Sequence, residues 1–328
     1  MKRLILVACA AMPAAVFAGG SNYGITPGVL PNLAGKVSEW PVPTPRFARD
    51  PAIAPDGSVY IAVMNGNKVA RFDPKTETFK EWDLPPGHRP HGLLVDHTGM
   101  VWTTGNGNGT IGKLDPTTGK VIEYQTPSRG GGPHTLIIND DQSTIWFTMQ
   151  SGDKLASLDT RSGKITEYET SGGPYGLALD QAGNVWFCRM REDAMGRLDP
   201  HTGKMTQVET GSGSHPRRVA ADPNGMLWIT LNGNGQLAKL DPNSMKVVKT
   251  YRLPGGNASP YAVTVDGAGM VWVNEIDTDT VVRFDPTTEK MRVVKLPSSN
   301  VGIRKMVVDA NGRLWYMGSH NGRLGMVE

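Results

Sequence analysis

The chain has 328 residues, including 40 glycines and 24 prolines, and its formal net charge at neutral pH is +3. A charge so close to zero excludes a broad electropositive surface of the kind that binds nucleic acid or anionic membranes. A chain of this length can bury a large core, so we interpret the glycines and prolines as turn residues rather than as a sign of disorder.

The first 18 residues are predicted to be a secretory signal peptide. Lys2 and Arg3 form a short positive region, an apolar run follows to Phe17, and Ala18 ends a small-residue cleavage signal. The alternative is a lipoprotein signal, because the segment Leu6–Cys9 resembles a bacterial lipid-attachment box. Secretion or a periplasmic location is expected, without a membrane span, since the apolar run is shorter than the ~20 residues that a spanning helix needs.

Cleavage after Ala18 would leave a nearly neutral chain with one cysteine. It takes the formal net charge from +3 to +1, because only Lys2 and Arg3 are lost. Cys188 would then have no partner for an internal disulfide, and we interpret it as a buried, unreactive thiol. Residues 19–34 are rich in glycine and proline and are expected to be a leader before the folded domain.

A sevenfold repeat fills the rest of the chain, residues 35–328. One aromatic residue recurs every 40 to 44 positions, at Tyr60, Trp102, Trp146, Trp186, Trp228, Trp272 and Trp315. Most units have an Asp-x-x-Gly turn before this residue, as at Asp180, and an Asp-Pro turn after it, as at Asp199. A period of this length, with four short strands in each unit, predicts one all-β domain, a seven-bladed β-propeller.

The N-terminal segment is predicted to complete the last blade. The seventh unit stops after its third strand, at the end of the chain, whereas Gly35–Trp40 matches the fourth strands of two earlier units, Gly119–Tyr124 and Gly163–Tyr168. Pairing of this segment with the last unit would close the ring and cover sheet edges that are otherwise open.

Function is expected at one end of the central channel, where the innermost strands begin. The first-strand position there lies 11 residues before each repeat aromatic residue, or 12 in the third unit. We name its seven residues the mouth ring: Arg49, His91, His134, Tyr175, Arg217, Tyr261 and Arg304. None is aliphatic, although a core position would carry similar apolar residues throughout. The ring predicts a site for an anionic ligand, because guanidinium groups bind carboxylates through two N–H groups; each arginine taken alone could instead be a solvated rim charge.

A divalent metal has few candidate ligands. Glu275, Asp277 and Asp279 cluster in a loop at the same end and offer carboxylate oxygens, with a solvated loop as the alternative. His88 and His91 are close in sequence, but we interpret them as loop residues rather than as a metal pair. The sequence contains no Ser-His-Asp order, phosphate-binding loop or zinc motif.

The units resemble those of the virginiamycin B lyases, or streptogramin lyases. The likeness is carried by segments such as Gly173–Leu177, Asn184–Phe187 and Gly196–Asp199, and it runs through all seven units. Members of that family are monomeric seven-bladed propellers that open the ester-linked ring of type B streptogramins by elimination. They use Mg²⁺, a histidine base and carboxylates, so the resemblance implies a monomer with this kind of site.

The resemblance also assigns individual roles. His134 matches the family's base, His91 matches a histidine one blade earlier, and Tyr175 matches a tyrosine one blade later. The two metal-facing carboxylates of the family are replaced by Gly132 and Gln150. Neither residue offers an ionised oxygen, so little or no magnesium-dependent streptogramin cleavage is expected.

Three functions remain open from the sequence. The first is a carbon–oxygen lyase for an ester or anionic sugar, with His134 as base and His91 and Tyr175 assisting the leaving oxygen. Its substrate-binding residues would be Arg49, Arg217, Tyr261 and Arg304. The second is a non-catalytic propeller that binds a ligand or a protein, and the third is a lactone hydrolase with a metal at Glu275 and Asp277.

Overall fold

The computed structural model describes residues 36–254 and 259–328. They form seven four-stranded antiparallel sheets, and in six of these the strands are consecutive in sequence. This confirms the predicted seven-bladed β-propeller. The predicted signal peptide, residues 1–18, and the predicted leader, residues 19–34, lie outside the described residues.

Each blade runs outward from the central channel. In blades 1 to 7 the innermost strands are β2 (Ala48–Ile53), β6 (Pro90–Val95), β10 (Pro133–Ile138), β14 (Pro174–Leu179), β18 (Pro216–Ala221), β22 (Pro260–Val265) and β26 (Ile303–Val308). The second strands are β3 (Val59–Val63), β7 (Val101–Gly105), β11 (Thr144–Met149), β15 (Val185–Arg189), β19 (Leu227–Leu231), β23 (Val271–Glu275) and β27 (Leu314–Gly318). The third strands are β4 (Lys68–Asp73), β8 (Thr110–Leu114), β12 (Lys154–Asp159), β16 (Ala194–Leu198), β20 (Gln236–Asp241), β24 (Thr280–Asp285) and β28 (Arg323–Val327). The outermost strands are β5 (Thr78–Asp83), β9 (Val121–Gln125), β13 (Ile165–Glu169), β17 (Met205–Glu209), β21 (Lys246–Arg252), β25 (Lys290–Lys295) and β1 (Val37–Pro41).

Burial falls from the channel to the rim. Strands β10 and β14 are buried at every position, whereas β9 alternates between half-buried and exposed residues. The innermost strands have neighbours on both faces, so they are mostly buried even where they begin with charged residues, as in β18. Within the described ranges the helical content is one 3₁₀ turn, Gln150–Gly152, and no helix there is long and apolar enough to cross a membrane.

The N-terminal strand closes the last blade as predicted. Strand β1 pairs antiparallel with β28, from Val37 opposite Val327 to Pro41 opposite Arg323. The ring of Trp40 then packs against Trp315 of the same blade, with centroids 5.9 Å apart, and against Phe72 of blade 1 at 4.8 Å. The closure therefore joins the two ends of the fold through ladder hydrogen bonds and through aromatic packing.

A buried hydrogen-bonded unit recurs on the side of the blades away from the mouth ring. In blade 5, Asp222 accepts hydrogen bonds from the main-chain N–H groups of Asn224 and Met226 and from the indole N–H of Trp228, at 2.8–2.9 Å. We name this unit the Asp–Trp latch. It recurs in five blades with indole-to-carboxylate distances of 2.8–3.0 Å, as the pairs Asp96–Trp102, Asp180–Trp186, Asp222–Trp228, Asp266–Trp272 and Asp309–Trp315.

Two blades lack the latch. In blade 1 both partners are changed together, to Ala54 and Tyr60, and the tyrosine stacks on Trp82 with centroids 6.1 Å apart. In blade 3 the turn is one residue longer, and Asn139 accepts the main-chain N–H of Thr144 instead. The paired change in blade 1 is consistent with the latch acting as a unit, since an aspartate buried without its donors would be costly.

Candidate functional site

A β-bulge shapes the start of every innermost strand. In blade 3, Pro133 pairs with Met149 and Leu136 pairs with Phe147, so His134 and Thr135 together face one residue of β11. The same shift occurs in the other six blades. Each bulge therefore presents two adjacent side chains near the channel, where a regular strand would turn one of them away.

A side chain on the second strand holds the bulge in four blades. In blade 5, Thr230 Oγ1 accepts the main-chain N–H of Arg218 at 3.0 Å and donates to the carbonyl of Tyr261 in the next blade at 2.8 Å. Thr104, Thr148 and Asn274 make equivalent bonds in blades 2, 3 and 6. These bonds satisfy the irregular backbone and tie neighbouring blades together where the mouth ring begins.

The structure brings the imidazole and phenol groups of the mouth ring into contact. The rings of His91 and His134 lie 3.5 Å apart between centroids, and His134 lies 4.1 Å from Tyr175. The hydroxyl groups of Tyr175 and Tyr261 share a hydrogen bond across the channel. All four residues are at least 96 % buried, which is unusual for polar groups and typical of a built site.

The arginines of the ring enclose these aromatic groups. Arg217 lies over the rings of Tyr175 and Tyr261, at 5.4 and 5.5 Å, and Arg304 lies 5.2 Å from Tyr261 and donates to its hydroxyl at 3.3 Å. Arg49 and Arg304 contact the ring of Phe47 at 5.2 and 5.3 Å. All seven ring positions therefore form one cluster, with cations over π-faces.

Three of these guanidinium groups keep buried N–H donors without an acceptor among the described residues. They are Nε and Nη2 of Arg49, Nε of Arg217 and Nε of Arg304. Buried donors are normally hydrogen-bonded, and an unsatisfied one is costly. The cluster is therefore well suited to an anionic group that accepts from several guanidinium groups at once.

The surrounding cations also control protonation. The pKa values of His91 and His134 lie well below the usual value, because burial disfavours the charged ring and Arg49 and Arg218 repel it. Burial raises the pKa of Tyr175 to about 12. Burial alone would raise the pKa of Tyr261, but the nearby guanidinium groups have the larger, opposite effect, so the pKa lies below its usual value. At neutral pH the site therefore holds two neutral imidazoles and a protonated Tyr175.

A second charged layer beneath the ring was missed by the sequence analysis. Arg218 of blade 5 donates to Thr135 of blade 3 at 2.9 Å and lies 3.5 Å from the carboxylate of Asp50 in blade 1. Lys305 of blade 7 donates to the carbonyl of Leu93 in blade 2 at 3.0 Å, and burial lowers its pKa to about 8. The sequence feature that could have indicated this layer is the presence of two adjacent charged residues at the start of an innermost strand, as in Arg217–Arg218 and Arg304–Lys305.

The other sequence candidates lie elsewhere. His88 sits in a loop as expected, whereas His91, also expected in a loop, lies on strand β6. The ring of His88 is buried and bonds to Glu123 at 2.7 Å and to Thr103 at 2.8 Å. Cys188 is buried, and burial raises the pKa of its thiol, in line with an unreactive group.

One carboxylate of the acidic loop, that of Asp279, hydrogen-bonds to the main chain. Asp279 accepts the main-chain N–H groups of Asn300 and Val301 at 2.9 and 2.8 Å. Glu275 was expected in the loop but is buried at the end of strand β23, and Asp277 is exposed. Within residues 36–254 and 259–328, no three His, Cys, Asp or Glu side chains lie together as a metal-binding group. The metal site at Glu275 and Asp277 stays a prediction.

These observations define a class of protein, a seven-bladed propeller whose candidate site lies over the channel and combines imidazole, phenol and guanidinium groups. The sequence model of the virginiamycin B lyase family matches residues 31–172 and 135–328. The chain belongs to the virginiamycin B lyase family. No curated protein matches the sequence.

Solved structures agree with this assignment at the level of the fold. A streptogramin B lyase is 23% identical and superposes with a TM-score of 0.82, covering 89% of this chain and 97% of that one. Virginiamycin B lyase from Staphylococcus aureus is 20% identical, with a TM-score of 0.82 and 89% and 99% coverage. A catalytically inactive histidine-to-alanine variant of the S. aureus enzyme with quinupristin gives 20% identity, a TM-score of 0.81, and 89% and 98% coverage. At these identities the likeness establishes a shared fold.

Gly132 and Gln150, which the resemblance places at the family's metal-facing positions, do not suit a magnesium ion. Gly132 has a left-handed backbone, with φ of 59°, and a Cβ atom there would lie 3.0 Å from Ser151 Oγ. The amide nitrogen of Gln150 lies 3.9 Å from Met190 Sδ. Magnesium needs hard, preferably ionised oxygen ligands, and the charged groups of the mouth ring are cations.

Proposed function

We propose that the protein binds an anionic small molecule or saccharide at the channel mouth and cleaves a carbon–oxygen bond in it by elimination. The observation that carries this proposal is the arginine cluster. Arg49, Arg217 and Arg304 have buried donors without an acceptor among the described residues, and they lie beside two neutral imidazoles and two tyrosines. A carboxylate or sulfate would satisfy those donors, and the low local dielectric would strengthen the attraction.

The same groups can carry the chemistry. A neutral imidazole accepts the proton from the carbon beside a carboxylate or ester carbonyl, and the arginines stabilise the negative charge that develops on the carbonyl oxygen. The electron pair of the broken C–H bond forms a C=C bond as the C–O bond breaks. Tyr175 keeps its proton at neutral pH and can give it to the leaving oxygen. The imidazole later returns its proton to the phenolate through solvent, so the protein is unchanged.

Ligand binding is tested by thermal unfolding with a panel of carboxylated and sulfated compounds. A ligand present at 100 times its Kd should stabilise the protein by about 2.7 kcal/mol, and the gain should shrink with salt because Coulomb attraction is screened. The variants Arg217→Gln and Arg304→Gln should lose the shift. Arg252→Gln is the matched control, because Arg252 is exposed on the outermost strand of blade 5. A panel without any shift, or a shift that is the same in high salt, would contradict the proposal.

Catalysis is tested separately on the ligands that bind. Elimination creates a conjugated double bond, which is followed by its ultraviolet absorbance. We expect turnover that survives a chelator and little cleavage of type B streptogramins, since the matching positions hold Gly132 and Gln150. Salt-sensitive binding without turnover of any ester or uronate would instead support the non-catalytic binding propeller. Robust, chelator-sensitive streptogramin cleavage would show our interpretation of the site to be wrong.

We also propose export as a monomer. The support is the charged and apolar N-terminal pattern that ends at Ala18, together with the monomeric state that the family resemblance implies. Intact-mass measurement should give a chain that begins at Gly19, and size-exclusion chromatography should give one propeller. An uncleaved N-terminus or a lipid on Cys9 would contradict the cleavage.

A further inference from the structure

The partners of His91 fix its tautomer. Its Nδ1 atom lies 3.1 Å from the main-chain carbonyl oxygen of His134. A carbonyl oxygen only accepts hydrogen bonds, so Nδ1 must carry the proton. Because burial and the cations Arg49 and Arg218 keep the ring neutral, its Nε2 atom is left with a lone pair.

The partners of His134 fix the opposite tautomer. Its Nδ1 atom lies 2.9 Å from Thr135 Oγ1, and the same oxygen accepts a hydrogen bond from Arg218 Nη1 at 2.9 Å. Within the described ranges these are the two hydrogen bonds of that hydroxyl oxygen. A guanidinium group only donates. If Oγ1 also accepted from His134, the buried hydroxyl proton of Thr135 would have no acceptor among the described residues, which is costly, so we infer that the hydroxyl donates to Nδ1 of His134. In a neutral ring the remaining proton is then on Nε2.

Arg218 is held in place from several sides. Its main-chain N–H donates to Thr230 Oγ1, its guanidinium lies over the ring of Tyr175 at 5.4 Å, and Nη2 lies 3.5 Å from Asp50. Its side chain therefore reaches from blade 5 to blades 1 and 3. A buried, always-charged donor in a fixed position is a reliable way to orient a hydroxyl proton.

We propose that the two histidines have divided roles, with His91 Nε2 as the proton acceptor and His134 Nε2–H as a hydrogen-bond donor to the substrate. Thr135 and Arg218 are positioning residues that maintain this division. The family resemblance assigns the base to His134, so the geometry of this chain exchanges the two roles. The inference rests on the proposed function for its meaning in catalysis, but the tautomers belong to the resting protein.

The division gives the elimination a complete set of groups without a carboxylate. His91 Nε2 takes the proton from the carbon while the C=C bond forms and the C–O bond breaks. His134 keeps its proton and donates a hydrogen bond to the carbonyl oxygen on which negative charge develops. The leaving oxygen receives its proton from Tyr175, as above. Charged groups near both imidazoles are Arg49 and Arg218, with Arg217 and Arg304 also near His134, and all disfavour imidazolium.

Long-range ¹H–¹⁵N NMR of histidine-labelled protein at neutral pH reads the tautomers directly, without a substrate. The variants His91→Gln and His134→Gln assign the two signals. We expect the proton on Nδ1 of His91 and on Nε2 of His134. A wild-type His134 protonated on Nδ1, or a wild-type His91 protonated on Nε2, would overturn the inference.

Substitution of Thr135 tests the positioning role. Thr135→Val removes the hydroxyl donor and should move His134 toward the Nδ1-protonated tautomer, whereas Thr135→Ser should keep the wild-type signal. The matched control is Thr264→Val, an equally buried threonine in blade 6. An unchanged His134 signal in Thr135→Val would overturn the role of Thr135. If Thr135→Val does not fold, wild type and Thr135→Ser still decide the tautomers.

Kinetics then separates this inference from the proposed function. With an anionic substrate that the wild type turns over, Thr135→Val should lower kcat at least about tenfold and change KM little, because the substrate contacts remain. An unchanged kcat would contradict the positioning role. If the wild type turns over none of the compounds, the proposed elimination is contradicted. The NMR measurement of the tautomers needs no substrate, so it tests the present inference independently.

Discussion

The two sides of this propeller use the same repeat in opposite ways. On one side, five blades carry the Asp–Trp latch with nearly identical hydrogen bonds. On the other, the mouth ring places arginine, histidine or tyrosine at the same repeat position, and adjacent members contact one another. A position that stabilises each blade separately is repeated, while a position that builds one shared site differs from blade to blade. Divergence at a repeat position, together with contact between the side chains that differ, is the feature on which the proposed site rests.

The largest effect should come from opening the ring of blades, which both sides depend on. A chain that begins at Pro43 lacks β1 and leaves β28 with an open edge, whereas a chain that begins at Lys36 keeps it. We expect the shorter chain to lose at least about 4 kcal/mol, because several apolar side chains, including Trp40, lose their packing. Urea unfolding of the two chains measures the difference. Equal midpoints would show that the strand adds nothing to stability.

Breaking one latch should have a smaller effect that leaves the site intact. Asp222→Asn places an amide N–H against the indole N–H of Trp228 and should cost about 3 kcal/mol, since charged hydrogen bonds are lost at a buried position. Anion binding at low temperature should be unchanged. A variant as stable as the wild type would contradict the stabilising role of the latch. A folded variant that no longer binds anions would contradict its independence from the mouth ring.

The mouth ring should reduce stability in acid. His91 has a lowered pKa in the folded state, so below the unfolded value of about 6.5 the unfolded chain binds a proton that the folded chain does not, and stability falls as pH falls. Compared with wild type, His91→Gln should therefore lose less stability between pH 7.5 and pH 5, by at most about 1.4 kcal/mol for each pH unit below 6.5. Exposed His201→Gln is the control. Parallel pH profiles for wild type and His91→Gln would contradict the neutral imidazole.

The smallest effect should come from building a latch where blade 1 lacks one. Ala54→Asp alone should destabilise, because the new carboxylate has no indole donor, and Tyr60→Trp should restore part of the loss. A surface groove lined by Ala54, Tyr60 and Trp82 leaves room for the larger ring. A double-mutant cycle should give a favourable coupling of about 1 kcal/mol. Additive effects would mean that the aspartate and the tryptophan of the latch do not stabilise each other.

The sequence was sufficient for the fold but only partly so for the site. The repeat aromatic residues and the match of Gly35–Trp40 to later fourth strands predicted the blades and their closure, because both depend on local patterns. The mouth ring was located by the same spacing. The layer of Asp50, Arg218 and Lys305 was missed because strand alternation would turn those residues away from the channel, and the bulges that present them have no simple pattern in the sequence.

The pairing of β1 with β28 also constrains how the chain can fold. The partners, such as Val37 and Val327, lie at opposite ends of the described chain, so this contact has close to the greatest loop length that the chain allows. The seventh sheet cannot be completed until β28 has been synthesised, whatever the earlier blades have formed. Closure is therefore expected to be a late and slow step in folding. A chain whose synthesis stops before β28 would form a propeller in which β1 has no partner.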